Sequence, residues 1–75
     1  MKSKIELFVS KRVKEVREQK KISQQYLADC INVSRSFIAN AENLNDPTTF
    51  NLDHLNEIAK ILDCAPSDFL PNKPL

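Results

Sequence analysis

Residues 22–42 have the sequence ISQQYLADCINVSRSFIANAE, and this stretch decides the predicted fold. Ser23 and Ser34 each precede a run with helical apolar spacing, and a serine hydroxyl is a preferred cap for the free amides at a helix start. Asn32 lies between the two runs, and asparagine tolerates the left-handed conformation of a helix end better than most residues other than glycine. The stretch therefore predicts two short helices joined by a tight turn.

The sequence ahead of this stretch predicts a first helix. Ser3 and Glu6 have the spacing of a capping box, in which each side chain satisfies a main-chain amide of the other residue. Ser10 offers a rival start further along the chain. The apolar spacing of one helix face is kept by four residues, Ile5, Val9, Val13 and Val16. This stripe is expected to face the core.

The sequence beyond the stretch predicts two more helices. Pro47 prevents one continuous helix, Asn51 is a good cap for a fourth helix, and Pro66 suits the first position of a short fifth helix. The chain contains no glycine, whereas strand-and-hairpin folds depend on residues that adopt positive φ. We therefore predict an all-α fold, a compact bundle of five short helices in a single domain over residues 1–75, with a loose tail over 71–75.

Composition and charge favour a folded domain with a polyanion-facing end. Hydrophobic residues make up 41% of the chain and charged residues 28%. No apolar run reaches about eighteen residues, and the first residues do not form a signal peptide, so we expect a cytoplasmic protein without membrane contact. Nine basic and four acidic residues give residues 1–35 a net charge of +5, whereas two basic and six acidic residues give residues 36–75 a net charge of −4. Such polarity is typical of a molecule with one end for a polyanion, but basic residues that only solvate the first helix would give the same pattern.

Neither a metal site nor a catalytic site is predicted. Cys30 and Cys64 lie far apart and outside any Cys-x-x-Cys pair, and His54 is the single histidine, so no zinc ligand set is present. No serine has a base and an oxyanion-stabilising group arranged for it, and no Gly-rich phosphate loop occurs. We therefore expect neither an enzyme nor a bound cofactor.

The opening stretch resembles the helix-turn-helix of the phage-repressor class, the Cro/Xre-like family of prokaryotic transcriptional regulators. The residues that match are Ile22-Ser23-Gln24, Leu27-Ala28, Val33-Ser34-Arg35-Ser36, Ile38 and Glu42. The likeness covers about residues 9–70 and includes Arg12, Val13 and Arg17, then Leu55, Ile58, Ala59 and Leu62, then Asp68-Phe69-Leu70. It implies a lambda-repressor-like DNA-binding domain, with double-stranded DNA as the partner and a homodimer as the acting form.

The resemblance also implies the residues that contact bases. Arg35 and Ser36 stand at the start of the second helix of the motif, where base edges of the major groove are reached. Asn40 follows about one turn later on the same face. The planar fork of arginine pairs with guanine, and the amide of asparagine suits adenine.

Further positions are implied for contacts with the DNA backbone and within the protein. Gln24, Ser34 and Phe37 are candidates for the DNA backbone, although for Phe37 packing within the domain is the favoured alternative. Arg17 and Glu42 are expected to form a structural ion pair. For the dimer interface the candidates are Phe69 and Leu70.

The sequence departs from the family at three places. Asn32 and Asp63 stand where relatives carry glycine, and both residue types tolerate the left-handed conformation. The segment 43–51 is about two residues longer than is usual and carries Asp46 instead of a basic residue. This predicts DNA binding that is weaker and less sensitive to salt.

The resemblance implies a sequence-specific transcriptional regulator, in particular a repressor that acts as a dimer on an inverted repeat. The alternative is a protein-interaction module, such as the antitoxin of a toxin–antitoxin pair, which can bind DNA as well as its toxin. The acidic half of the chain is compatible with that alternative.

Overall fold

The chain folds into four α-helices and one turn of 3₁₀ helix, without strands, in a computed structural model that describes residues 1–75. The α-helices are α1 (Lys4–Gln19), α2 (Gln24–Cys30), α3 (Arg35–Glu42) and α4 (Leu52–Leu62), and the 3₁₀ helix is Pro66–Phe69. The all-α prediction is confirmed, but the expected fifth helix is this 3₁₀ turn. Pro66 and Pro71 bracket too few residues for an α-helix to develop, and Leu70 is already extended.

Side-chain oxygens cap the starts of all four α-helices. At α1, the Glu6 amide donates to Ser3 Oγ over 3.2 Å and the Ser3 amide donates to Glu6 Oε1 over 2.8 Å, which confirms the capping box. The rival start was wrong, because Ser10 is buried inside α1. The other three caps were also predicted, and they are Ser23, Ser34 and Asn51.

Three of the four α-helices end next to a residue with positive φ. In each case an amide donates to the carbonyl five residues earlier, which satisfies part of the free end of the helix. The positive-φ residues are Lys21 (58°), Asn32 (59°) and Asp63 (54°). The last two were predicted as residues that stand in place of glycine. The exception is α3, which is followed by the extended residue Asn43.

The core draws on every helix and holds α3 against α1 and α2. Thirteen hydrophobic residues are buried in one cluster: Val9, Val13, Val16, Leu27, Ala28, Ile38, Ala41, Phe50, Leu55, Ile58, Ala59, Leu62 and Phe69. Ile5 was expected to belong to it but is 46% exposed, because the first turn of α1 lies at the rim of the bundle. None of the helices has the length and apolar character that a membrane crossing requires.

The left-handed end of α2 gives a stability prediction. Asn32→Ala is expected to lower the free energy of unfolding by about 1–2 kcal/mol relative to Asn32→Gly, because a β-carbon is disfavoured at positive φ. Urea denaturation of the two variants and of the wild type measures the difference. Equal stability of the alanine and glycine variants would contradict the left-handed conformation of Asn32.

Candidate nucleic-acid interface

The outer face of α3 presents the three residues expected to contact bases. Arg35 and Ser36 are the first two residues of the helix, Asn40 follows just over one turn later, and all three are exposed. No ion pair within the chain occupies the Arg35 guanidinium. The start of α3 therefore offers an uncommitted fork of N–H donors together with two smaller polar side chains.

The start of α3 is also fixed locally by its cap. Ser34 Oγ accepts a hydrogen bond from the Phe37 amide over 3.0 Å. The amides of Arg35 and Ser36 precede the first main-chain bond of the helix, so they point out of its N-terminal end, where the helix dipole is positive. Ser34, a candidate for the DNA backbone, therefore lies where an anion is favoured.

Gln24 begins α2 and is half-buried beside the end of α3. Its Nε2 donates to Glu42 Oε1 over 3.1 Å. A side-chain amide has two N–H donors, so one remains for a further acceptor. The hydrogen bond therefore fixes the orientation of this backbone candidate without using all of its donors.

Phe37 packs within the domain. Its ring centroid lies 4.7 Å from that of His54 and 5.9 Å from that of Phe50, the latter in an edge-to-face arrangement. These rings come from the segment before α4 and from α4 itself, so the cluster ties α3 to the second half of the chain. Of the two roles considered for Phe37, the structure shows packing, which leaves the ring a poor candidate for the DNA backbone.

Arg17 and Glu42 form a bidentate ion pair between α1 and the last residue of α3. Arg17 Nε donates to Glu42 Oε2 over 2.7 Å and Nη2 donates to Oε1 over 2.8 Å. The two side chains are 8% and 2% exposed. Hydrogen bonding to Glu42 raises the pKa of Arg17 above its ordinary value, against the effect of burial.

The guanidinium of Arg17 also reaches the turn before α2. Its Nη1 donates to the main-chain carbonyl of Ile22 over 2.7 Å. Because Gln24 donates to the same carboxylate of Glu42, the ion pair joins α1, the start of α2 and the end of α3. It therefore sets the orientation of the two motif helices.

A cleft beside the motif contains basic residues that the sequence reasoning did not single out. It encloses about 610 Å³ and runs from α1 to the segment after α3, with lysines on one wall and amides on the other (Lys11, Lys14, Gln24, Asn43, Asn45). Glu15 and Glu18 line it as well, so its charge is mixed. The available sequence signal was the spacing of Lys11 and Lys14, which places both on one face of α1.

Asp46, the acidic residue of segment 43–51, accepts a hydrogen bond from within that segment. The Thr48 amide donates to Asp46 Oδ1 over 2.8 Å, and hydrogen bonding to Thr48 lowers the pKa of Asp46. Asp46 is also half-buried. The carboxylate thus serves the folding of the segment.

The two C-terminal candidates for a dimer interface differ in burial. Phe69 is completely buried in the core, so the expectation that it faces a partner is wrong. The reason is that the 3₁₀ turn packs on both α1 and α4 and inserts this ring between them. Leu70 is 37% exposed, and it lines an apolar hollow of about 190 Å³ together with Ile5 and Leu52.

Comparison with known proteins agrees with this geometry. Residues 12–74 match the Cro/C1-type helix-turn-helix DNA-binding domain. Because this match spans most of the chain, the protein belongs to the Cro/C1-type helix-turn-helix family of DNA-binding transcriptional regulators. No curated protein sequence matches the chain significantly.

Solved structures with the same fold include regulators and part of an enzyme. The restriction-modification controller protein C.AhdI from Aeromonas hydrophila is 25% identical, with 87% of this chain and 96% of that chain covered and a TM-score of 0.75. SinR, the master regulator for biofilm formation, in complex with DNA is 26% identical over 81% of this chain and 95% of that chain, with a TM-score of 0.68. SinR has also been solved in complex with SinI.

The fold also occurs within hydroxypropylphosphonic acid epoxidase from S. wedmorenis. That chain is 23% identical, with a TM-score of 0.80, and the match covers 93% of this chain but 36% of the epoxidase. A likeness at this identity shows the fold alone.

The buried ion pair gives a second stability prediction. Arg17→Met is expected to lower the free energy of unfolding by about 3–5 kcal/mol, because it leaves the carboxylate of Glu42 buried and unpaired. The double variant Arg17→Met/Glu42→Leu should recover most of that loss, since neither charge remains. Guanidinium chloride denaturation measures both differences.

The matched control for this prediction is Arg12→Met, also on α1. Arg12 Nε donates to the main-chain carbonyl of Asp68 over 2.9 Å at an exposed position, so its loss should cost about 1 kcal/mol or less. A double variant no more stable than Arg17→Met would contradict the account of the ion pair.

Proposed function

We propose that the protein is a sequence-specific transcriptional repressor that reads double-stranded DNA with the first half of α3. The observation that carries the proposal is the exposure of Arg35, Ser36 and Asn40 on one face, while Arg17 and Glu42 fix the helix from behind. The major groove admits an α-helix and presents a different pattern of donors and acceptors for each base pair. A small set of polar side chains on a fixed helix therefore suffices to discriminate sequences.

Each of the three side chains has a distinct role. The Arg35 fork donates to O6 and N7 of a guanine, and the Asn40 amide pairs with N6 and N7 of an adenine. Ser36, between them along the helix, has a hydroxyl that both donates and accepts, so it discriminates less strongly. Specificity therefore rests mainly on Arg35 and Asn40.

Contacts with phosphates come from the groups that surround this face. Ser34 and the first amides of α3 hold one phosphate, and the free N–H of Gln24 holds another. Lys11 and Lys14 face phosphates along the cleft beside α1. These groups supply phosphate contacts from α1, α2 and α3, in place of contacts from segment 43–51, which carries Asp46.

A comparison of three variants separates base contacts from phosphate contacts. Arg35→Ala and Arg35→Lys are both expected to lower the preference for a selected site over a scrambled one by about tenfold, because the guanidinium holds its donors in a rigid fork that neither replacement has. Lys14→Gln should weaken binding to both DNAs equally and reduce the log–log salt slope by about 0.9. Fluorescence anisotropy at several salt concentrations gives both quantities.

The same measurements can contradict the proposal. If Arg35→Lys preserves the preference for the selected site, the bidentate role of Arg35 is lost. If Lys14→Gln changes the preference without changing the salt slope, the lysine does not act on phosphates.

We infer further that a twofold dimer is the acting form and that its interface includes Leu70. A dimer on an inverted repeat places its two reading helices about 34 Å apart, one turn of DNA. The exposed hollow at Leu70, Ile5 and Leu52 supports this site, since its lining is mainly hydrophobic with Glu6 as the one charged residue, and charged residues are depleted at interface cores.

The interface proposal is tested with one exposed substitution and one control. Leu70→Asp is expected to weaken self-association by at least about tenfold, because it introduces a charge into the interface core. Leu44→Asp, which changes an exposed leucine outside the hollow, should leave it unchanged. Sedimentation equilibrium measures both, and an unchanged dimer in Leu70→Asp, or a monomeric wild type, would contradict this interface.

A second candidate function uses the same hollow for a different protein. It is supported by the apolar character of the hollow and by the existence of SinR in complex with SinI. In that case the wild-type chain would sediment as a monomer and would form a stable complex with the product of a neighbouring gene. One such partner would be the toxin of a toxin–antitoxin pair, with this chain as the antitoxin.

A further inference from the structure

The end of α3 differs from the ends of the other α-helices. In α1, α2 and α4 a residue with positive φ allows an amide to donate to the carbonyl five residues earlier. At α3 the capping residue Asn43 is extended (φ −78°, ψ 119°), and no such bond forms. The last turn of α3 also contains no basic residue of its own. The carbonyls at the end of α3 therefore have neither the hydrogen bond of a left-handed helix end nor a basic side chain from the same turn.

Lys2, from the N-terminal segment, lies against the carbonyls at the C-terminal end of α3. Lys2 is 6% exposed, although lysine is rarely buried. Its Nζ donates to the main-chain carbonyl of Asn43 over 2.6 Å and to that of Ala41 over 2.9 Å, and it lies 3.5 Å from the carbonyl of Asn40. An ammonium has three N–H donors, which matches the three carbonyls.

Two nearby carboxylates partly offset the cost of burying the charge of Lys2. Burial lowers the pKa of Lys2 from its ordinary value, and the carboxylates of Asp46 and Glu6 oppose that lowering. The Asp46 amide donates to the same Asn43 carbonyl over 3.1 Å. The ammonium thus touches the junction at which α3 ends and segment 43–51 begins.

We propose that Lys2 is a positioning residue for the reading helix. Its ammonium closes the C-terminal turn of α3 and thereby fixes Asn40, whose carbonyl it approaches and whose side chain faces DNA. The N-terminal segment controls DNA affinity through this contact without touching DNA. This inference rests on the proposed role of α3 in DNA binding.

The test compares Lys2→Met with Lys4→Met. Both remove one positive charge from the same end of the chain, but Lys4 is exposed and begins α1, so it controls for long-range attraction to DNA. Amide hydrogen exchange without DNA is the first measurement. In Lys2→Met the amides of Asn43 and Asp46 should exchange about tenfold faster, because a charge-assisted hydrogen bond is lost. Lys4→Met should leave these amides unchanged.

The amide of Cys64, at the end of α4, reports on general loss of stability. It donates to the carbonyl of Ala59, in a part of the fold that Lys2 does not contact. If Cys64 exchanges faster by the same factor as Asn43, the substitution destabilises the whole domain, and the local role is overturned. Unchanged exchange at Asn43 and Asp46 overturns it as well.

DNA affinity is the second measurement, on a fragment selected from a random pool. Lys2→Met should bind about fivefold more weakly than Lys4→Met with an unchanged salt slope, since a positioning residue neutralises no phosphate. A slope reduced by about 0.9 relative to Lys4→Met would mean a direct phosphate contact and would overturn the proposal. Should the wild type select no sequence, the proposed function fails, and the exchange data still decide whether Lys2 closes α3.

Discussion

The ion pair between Arg17 and Glu42 is the contact on which the arrangement of the motif depends. It is nearly completely buried and joins α1 to the last residue of α3, while Gln24 and the carbonyl of Ile22 bring the start of α2 to the same point. Such a pair contributes little net stability, because both charges lose their hydration. Its geometry is specific, however, and the bidentate fork permits only one orientation of the two helices.

The end of α3 gathers negative charge from two sources. Glu42 contributes a carboxylate, and the free carbonyls of the last turn contribute the negative end of the helix dipole. Arg17 neutralises the first, and Lys2 binds the second. A helix of eight residues does not persist alone in water, so these long-range contacts and the buried residues Ile38 and Ala41 determine where α3 lies.

This arrangement divides the residues of α3 between two tasks. One face packs in the core and contributes Glu42 to the ion pair. Beside it, Phe37 packs against the rings of Phe50 and His54. The remaining face carries Arg35, Ser36 and Asn40, which are exposed and which the proposed function assigns to DNA. Three side chains per chain make a small reading surface, which is why the proposed function includes a second copy of the chain.

The features predicted correctly from the sequence are those with partners close in the chain. The helix caps contact amides three residues away, and Asn32 and Asp63 adopt positive φ because their side chains tolerate it. Lys21 also has positive φ, but lysine has no preference that would have indicated this. The burial of Lys2 depends on a contact across 41 residues, which no local pattern encodes.

The candidate site was also predicted only in part from the sequence. The motif register places Arg35, Ser36 and Asn40 on α3, and the structure shows their exposure. Phe69 was wrongly assigned to a partner. The local sequence does not indicate whether an apolar residue in the last short helix packs on its own domain or on another chain. Its burial follows from the 3₁₀ turn docking on α1 and α4, which only the tertiary structure reveals.

The central claim is that a dimer reads DNA through α3, and selection of bound sequences from random DNA tests it most directly. The account predicts enrichment of an inverted repeat whose half-sites are centred about 10 base pairs apart, each with a guanine and an adenine at fixed positions. Enrichment of no sequence, or of a single half-site without its inverted copy, would contradict it.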